Sequence, residues 1–279
     1  MAGEVIDSTH VESADGTSIG FASTGSGPGL VVLPGTLRAA RHYRGLAAAL
    51  ADDFTVHTVD RRGRGASGPQ GAGYGIDAEC ADLAAVLAGT GATMVFGHSY
   101  GGLVALETAL RRPDVRIDRM AIYEPAISID GTITADWLPE LDLAVAEGRV
   151  TDAVTSLIAG LDLAGPLRHV PERLRTVLGR IALRGDMRED MALLLPTVHA
   201  EVVVVTSLDP DGSRYAGIDT NTLLCNGERG PDYLRDVVDL LHAGMPNSER
   251  TTVPKAGHNA PDLEAPQAVA DHLRGYLSR

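Results

Sequence analysis

The chain has 279 residues, 44% of them apolar, and a formal net charge of −13 at pH 7. That suits one large α/β domain with an insertion, or two ordinary domains, and argues against nucleic acid or an anionic membrane surface as partner. No run reads as a bilayer span, residues 1–10 lack the basic and apolar segments of an export signal, and Cys80 and Cys225 lie far apart without metal-type spacing, so a cytoplasmic protein with free thiols and no metal is expected.

The chain opens on two strand-like runs, 10–13 and 17–23, around the turn Ala14-Asp15-Gly16, which reads as a hairpin. Leu30-Val31-Val32-Leu33 is a short, continuously apolar run, as in a parallel strand covered on both faces. It ends at Pro34-Gly35-Thr36. A helix is expected over 43–51, a strand over 54–59 leading into Asp60-Arg61-Arg62-Gly63-Arg64-Gly65-Ala66-Ser67, and a helix over 76–88. Met94-Val95-Phe96 runs into Gly97-His98-Ser99-Tyr100-Gly101, with a helical pattern to residue 112 and a strand over 119–123 ending at Glu124-Pro125. This alternation predicts a doubly wound, mostly parallel sheet.

The rhythm then changes. Segments 138–147, 151–161, 171–183 and 187–195 read as helices separated by Gly or Pro, too long together for a loop. Residues 128–215 are therefore expected to form a helical cap, or lid, inserted between core segments 1–127 and 216–279. Glu201-Val202-Val203-Val204-Val205 within it is ambiguous, strand by propensity and helix by context. Strands over 222–225 and 250–253 and helices over 232–243 and 266–277 complete the pattern, with Lys255-Ala256-Gly257-His258 in the last loop.

Gly-x-Ser-x-Gly between a strand and a helix has the form of a nucleophile elbow, a turn too sharp for Cβ atoms on its flanks, which lifts Ser99 toward the helix N-terminus. A serine hydroxyl needs a base with a pKa near the working range. Of the nine histidines, His258 follows the final strand, where α/β sheets place their sites. His98 adjoins Ser99 but is expected to point away from it. Arg38 and His42, just past the Pro34-Gly35-Thr36 turn, read as a solvated helix face that could reach a polar substrate group.

Together Pro34-Gly35-Thr36, the Asp60–Ser67 segment, Gly97-His98-Ser99-Tyr100-Gly101 and Lys255-Ala256-Gly257-His258 resemble the α/β-hydrolase superfamily over essentially the whole chain outside the cap. Pro34 stands where that family usually has histidine. The resemblance implies an eight-stranded sheet with helices on both faces and no cofactor. It also implies an oxyanion hole from the Tyr100 N–H and the Thr36 N–H, with Gly35 as the alternative, and a mainly structural role for Asp60 and its arginines. Most relatives carry the triad acid as Asp in a Gly-x-x-Asp segment after the seventh strand, but here that segment is Gly227-Glu228-Arg229-Gly230. Glu124, after the sixth strand, is the acid expected instead, with Asp232 and Glu228 as alternatives and pairing with Arg61 or Arg62 as its structural reading. Such a Ser–His–Glu set is similar to lactone hydrolases of the zearalenone-hydrolase type.

The expected activity is hydrolysis of a carboxylic ester or lactone of a largely apolar small molecule. The cap is expected to supply an apolar pocket, with Trp137, Ile129 and Leu138 as candidate substrate contacts. The alternatives are a C–C bond hydrolase or a cofactor-free haloperoxidase-like or perhydrolase enzyme on the same fold, and, further off, a non-catalytic ligand receptor. Neither nucleic acid nor membrane is expected as a partner, and a homodimer is left open.

Overall fold

The computed structural model describes residues 8–163, 184–208 and 212–279; the helix expected over 171–183 lies outside them. β1 (Ser8–Glu12) and β2 (Ser18–Thr24) form the expected hairpin, and β2 also pairs antiparallel with β4 (Thr55–Val59). β3 (Gly29–Leu33), β5 (Met94–His98), β6 (Arg119–Tyr123), β7 (Asn221–Gly227) and β8 (Ser248–Val253) add to β4 in parallel. The strand order across the sheet is β1-β2-β4-β3-β5-β6-β7-β8.

Strand alternation explains why the central runs are continuously apolar. Leu30 and Val32 of β3, with Phe96, Ala121 and Leu223, face one side, packed by Leu46 and Leu50 of α1 (Arg44–Leu50) and Leu273 of α9 (Pro266–Leu277). Val31 and Leu33, with Val95, Ile122 and Leu224, face the other. There they meet α2 (Ile76–Thr90), α3 (Tyr100–Arg111) and α8 (Asp232–Gly244) through Leu83, Leu103 and Val237. Period-two alternation thus feeds two cores, one per face. Cys80 and Cys225 are both buried and unpaired with each other, and burial pushes the Cys80 thiol up to about 12.

Between β6 and β7 lie α4 (Leu138–Ala146), α5 (Val150–Gly160), α6 (Asp186–Leu194), a 3₁₀ turn at Leu195–Thr197 and α7 (Val198–Ser207). The ambiguous stretch 201–205 is helical. β-Propensity yields to tertiary context: Val198 and Val202 pack with Leu141, Leu157 and Leu194 in the insertion's own core, while Val204 and Val205 join the sheet core. The segment 186–207 is one helical run, long and apolar enough by length and composition to cross a membrane, contrary to the expectation that no such run exists; half of its apolar stretch is buried inside the protein. Leu37 and Ala39, just after β3, sit in the insertion's core, and Asp190 accepts bonds from Arg41 at 2.7 Å and His42 at 3.0 Å. The insertion is docked on the loop that follows β3.

Candidate active site

The strand-to-helix turn after β5 places Ser99 at φ 53° and ψ −119°, a conformation seldom adopted by a residue with a Cβ and one concentrated at functional sites. Glycine is required on both flanks by space. A Cβ on Gly97 would lie 2.5 Å from the Gly101 carbonyl oxygen, and one on Gly101 would lie 2.2 Å from that of Leu33. The Ser99 N–H donates to the Tyr123 carbonyl at 3.0 Å, and the Ser99 carbonyl accepts from Gly102 at 2.8 Å and Ala126 at 3.1 Å. Its side chain is left at the N-terminus of α3, in the wall of a cavity shared with Thr36, Tyr100 and His258.

Glu124, next after β6, also has positive φ, 44°. It is fully buried. Its Oε1 accepts the Gly227 N–H at 2.8 Å, and its Oε2 lies 2.7 Å from His258 Nδ1. Gly230 makes room for it: a Cβ there would fall 2.0 Å from Oε1. Glu124 thus fills the space above Gly230. The other carboxylates are elsewhere. Asp232 pairs with Arg235 on the surface of α8, and Glu228 Oε2 accepts the Lys255 N–H at 2.6 Å. Arg61 pairs with Glu79 and Glu201, and Arg62 with Asp15 and Asp82, so neither takes Glu124. Among the described residues no hydrogen bond joins the Ser99 hydroxyl to His258; such contacts commonly tighten only with substrate bound.

The structure separates the two candidate oxyanion donors. Gly35 donates its N–H to the Tyr43 hydroxyl at 3.1 Å, so that amide is already bonded. Thr36, which lines the cavity, remains, together with the Tyr100 N–H at the start of α3.

His98 explains the commitment of Gly35. Its Nδ1 lies 2.6 Å from the Tyr43 hydroxyl and its Nε2 lies 2.9 Å from the His258 carbonyl. A carbonyl can only accept, so Nε2 carries the proton, Nδ1 accepts from Tyr43, and the Tyr43 oxygen accepts from Gly35. One buried chain of bonds therefore ties the turn after β3 to the loop carrying His258. Tyr123 adds a second tie, its hydroxyl donating to the Gly257 carbonyl at 2.8 Å.

Burial, the nearby His258 and Arg38 hold His98 well below the usual histidine range. The unfolded chain takes up a proton that the folded chain refuses, so stability is full above about pH 6.5 and falls as acid is added below it. His42 and His57, lowered first by burial, act with the same sign. We expect Tm to drop between pH 7.5 and 5.5 in thermal melts, and the drop to shrink in His98→Gln even though that variant starts lower.

The expected substrate contacts lie away from this cavity. Trp137, Ile129 and Leu138 are not in it. Trp137 packs its ring on Gly160, where a Cβ would lie 2.3 Å away, and donates its indole N–H to Thr134. Leu138 belongs to the insertion's core and Ile129 to the sheet core. The insertion's contribution is instead Ile133, Leu161, Leu163, Val202 and Val205, with Glu201 among them. Nor do Arg38 and His42 reach the cavity: Arg38 bonds Asp262, and His42 bonds Asp190. Among the described residues no three His, Cys, Asp or Glu side chains gather as metal ligands would.

Residues 30–272 match the alpha/beta hydrolase family. The chain is 29% identical over 263 residues, 91% of its length and 95% of the other, to a pimeloyl-[acyl-carrier protein] methyl ester esterase of Stenotrophomonas maltophilia (strain K279a). To the lipase LipV of Mycobacterium tuberculosis it is 32% identical over 151 residues, a match that spans 53% of this chain and only 51% of LipV. An alpha/beta hydrolase from Sphaerobacter thermophilus superposes with a TM-score of 0.81 at 31% identity, over 96% of this chain and 100% of that one. With the strand order, the elbow after β5 and a family match across most of its length, the chain belongs to the alpha/beta hydrolase family.

Proposed function

We propose that the protein is a serine hydrolase that cleaves a carboxylic ester or lactone of a largely apolar small molecule through an acyl-enzyme. Ser99 Oγ attacks the carbonyl carbon, and His258 Nε2 takes the hydroxyl proton and returns it to the leaving alkoxide. Glu124 Oε2 accepts the His258 Nδ1–H, which keeps the lone pair on Nε2 and stabilises the imidazolium as it forms. The amides of Tyr100 and Thr36 donate to the oxyanion, each worth ~10²–10³ in turnover. Water, activated by the same imidazole, then releases the acid.

The observation that carries this reading is the 2.7 Å Glu124–His258 contact behind a cavity that His258 and Ser99 both line. The apolar wall and the esterase named among the relatives support an ester over a peptide or phosphoester. The cavity is tight, about 30 Å³, so on this reading the described helices between β6 and β7 act as a cap that gives way when an ester enters. A fluorophosphonate probe should label Ser99, located by mass spectrometry of the tryptic peptide. A panel of aryl esters, lactones and β-diketones then separates ester or lactone cleavage from C–C cleavage; turnover of the diketones alone would overturn the proposal.

Gly230 gives a second test. Its backbone is not in the positive-φ region, so only the space above it demands glycine. Gly230→Ala should push the Glu124 carboxylate off His258 and lower kcat by ~10²-fold, as small misplacements in a catalytic array do. The check is steady-state hydrolysis of p-nitrophenyl butanoate, with a thermal melt to show that the variant is folded.

A further inference from the structure

Glu201, in the first turn of α7, is fully buried in the cavity wall shared with Ser99, Thr36 and His258. Two guanidinium groups converge on one of its oxygens: Arg61 Nη2 donates to Oε1 at 2.8 Å and Arg64 Nη2 donates to the same atom. Among the described residues the second oxygen, Oε2, has no hydrogen-bond partner. Burial alone would raise the pKa of Glu201, but Arg61 and Arg64 outweigh it and hold the group below the usual range, with a smaller contribution from the Thr36 hydroxyl. Glu201 is therefore a carboxylate, and Oε2 can only accept.

The charge around it selects what it would accept from. Arg61 also donates to Glu79 at 2.7 Å, so two guanidinium groups face two carboxylates and the buried cluster is neutral. A cation finds no unbalanced charge there, and an anion would meet Oε2 directly. The group that matches is a neutral donor. If an apolar group is seated against Oε2, it leaves a charged oxygen in the interior with no partner, the situation that gives polar sites their strongest discrimination.

We infer that Glu201 is a specificity residue whose free oxygen accepts a hydrogen bond from a neutral donor, a hydroxyl or an amide N–H, on the substrate close to its scissile ester. This rests on Ser99 being the nucleophile of the proposed hydrolase. The bland reading is that Glu201 is only a counter-ion that fastens α7 to the arginine loop; that reading predicts no effect on substrate choice.

The test uses the full chain and matched esters. One series is p-nitrophenyl acyl esters with a hydroxyl at C3, C5 or C6; the other is butanoate monoesters of short diols. Each is paired with its methyl ether and its deoxy compound. At one position or more, wild type should prefer the hydroxyl compound in kcat/KM by about 10- to 100-fold. In Glu201→Gln the arginines hold the amide oxygen and turn the NH₂ toward the cavity, so the preference should collapse to within about 3-fold or invert. Where that variant does not fold, Glu201→Asp keeps the charge between the arginines, withdraws the oxygen, and should lose the preference likewise. Wild type that treats hydroxyl and methyl ether alike at every position, or a folded variant that keeps the preference, overturns the inference. A chain that cleaves none of these esters and leaves Ser99 unlabelled by the fluorophosphonate would instead overturn the hydrolase reading beneath it.

Discussion

Ser99→Ala is expected to remove ester turnover, by ~10⁶-fold in kcat if the three groups act as a unit, as they do in serine proteases. The oxygen lost sits at the N-terminus of α3 on a backbone held at φ 53° and ψ −119°. The fold should be indifferent to the change. The Ser99 hydroxyl makes no hydrogen bond among the described residues, whereas its backbone N–H and carbonyl, both retained in alanine, hold the turn to Tyr123, Gly102 and Ala126. Tm should therefore stay within a degree or two by order of magnitude, surface-like for a substitution that opens no cavity. The check is burst-phase kinetics with p-nitrophenyl butanoate alongside the melt. Wild type should release one equivalent of nitrophenol rapidly where deacylation is slow, and the variant none. Turnover that survives the substitution would remove the acyl-enzyme and leave a different chemistry to be found in the same cavity.

The sequence carried the sheet and the elbow because both are local. Apolar runs such as 30–33 and 119–123 have one packing solution, and Gly97 and Gly101 are needed by contacts within a few residues of Ser99. The Glu124–His258 contact was open to the sequence for a different reason: Gly230 stands where the resemblance leads one to expect an aspartate, which directs attention to a carboxylate on the neighbouring strand. What could not be read is where long-range packing decides. Trp137 and Leu138 are apolar whether they face a substrate or the insertion's own core; the structure puts Leu138 in that core and packs the half-buried Trp137 against it. Glu201 was hidden in a valine run because its partners, Arg61 and Arg64, lie 140 and 137 residues earlier. The signal available was an acid opening an apolar stretch, set against an arginine-rich loop with too few acids of its own. Gly35, the alternative to Thr36 as oxyanion donor, has its amide bonded to Tyr43, a partner eight residues on that the turn motif does not reveal.

Glu124→Gln is the second large effect, ~10⁴-fold in kcat, the scale seen when the acid of a triad becomes an amide and the histidine is left in the wrong tautomer. The geometry makes the argument specific. Oε1 is already fixed by the Gly227 N–H at 2.8 Å, so in glutamine the carbonyl oxygen stays there and the NH₂ falls where Oε2 faces His258. An amide donor 2.7 Å from Nδ1 favours the tautomer with its proton on Nε2, which cannot take one from Ser99. Asp232→Asn should change kcat less than about 2-fold, because that side chain is 81% exposed and paired with Arg235, and exposed pairs of this kind contribute little. If the two variants rank the other way, Glu124 is not the acid. A rescue sharpens the test. Gly230→Asp in the wild-type background should inactivate, since its Cβ alone falls 2.0 Å from Oε1. In Glu124→Ala the same substitution has the vacated space to fill and should recover part of the lost activity, because the imidazole responds to a carboxylate at Nδ1 and not to the strand that delivers it.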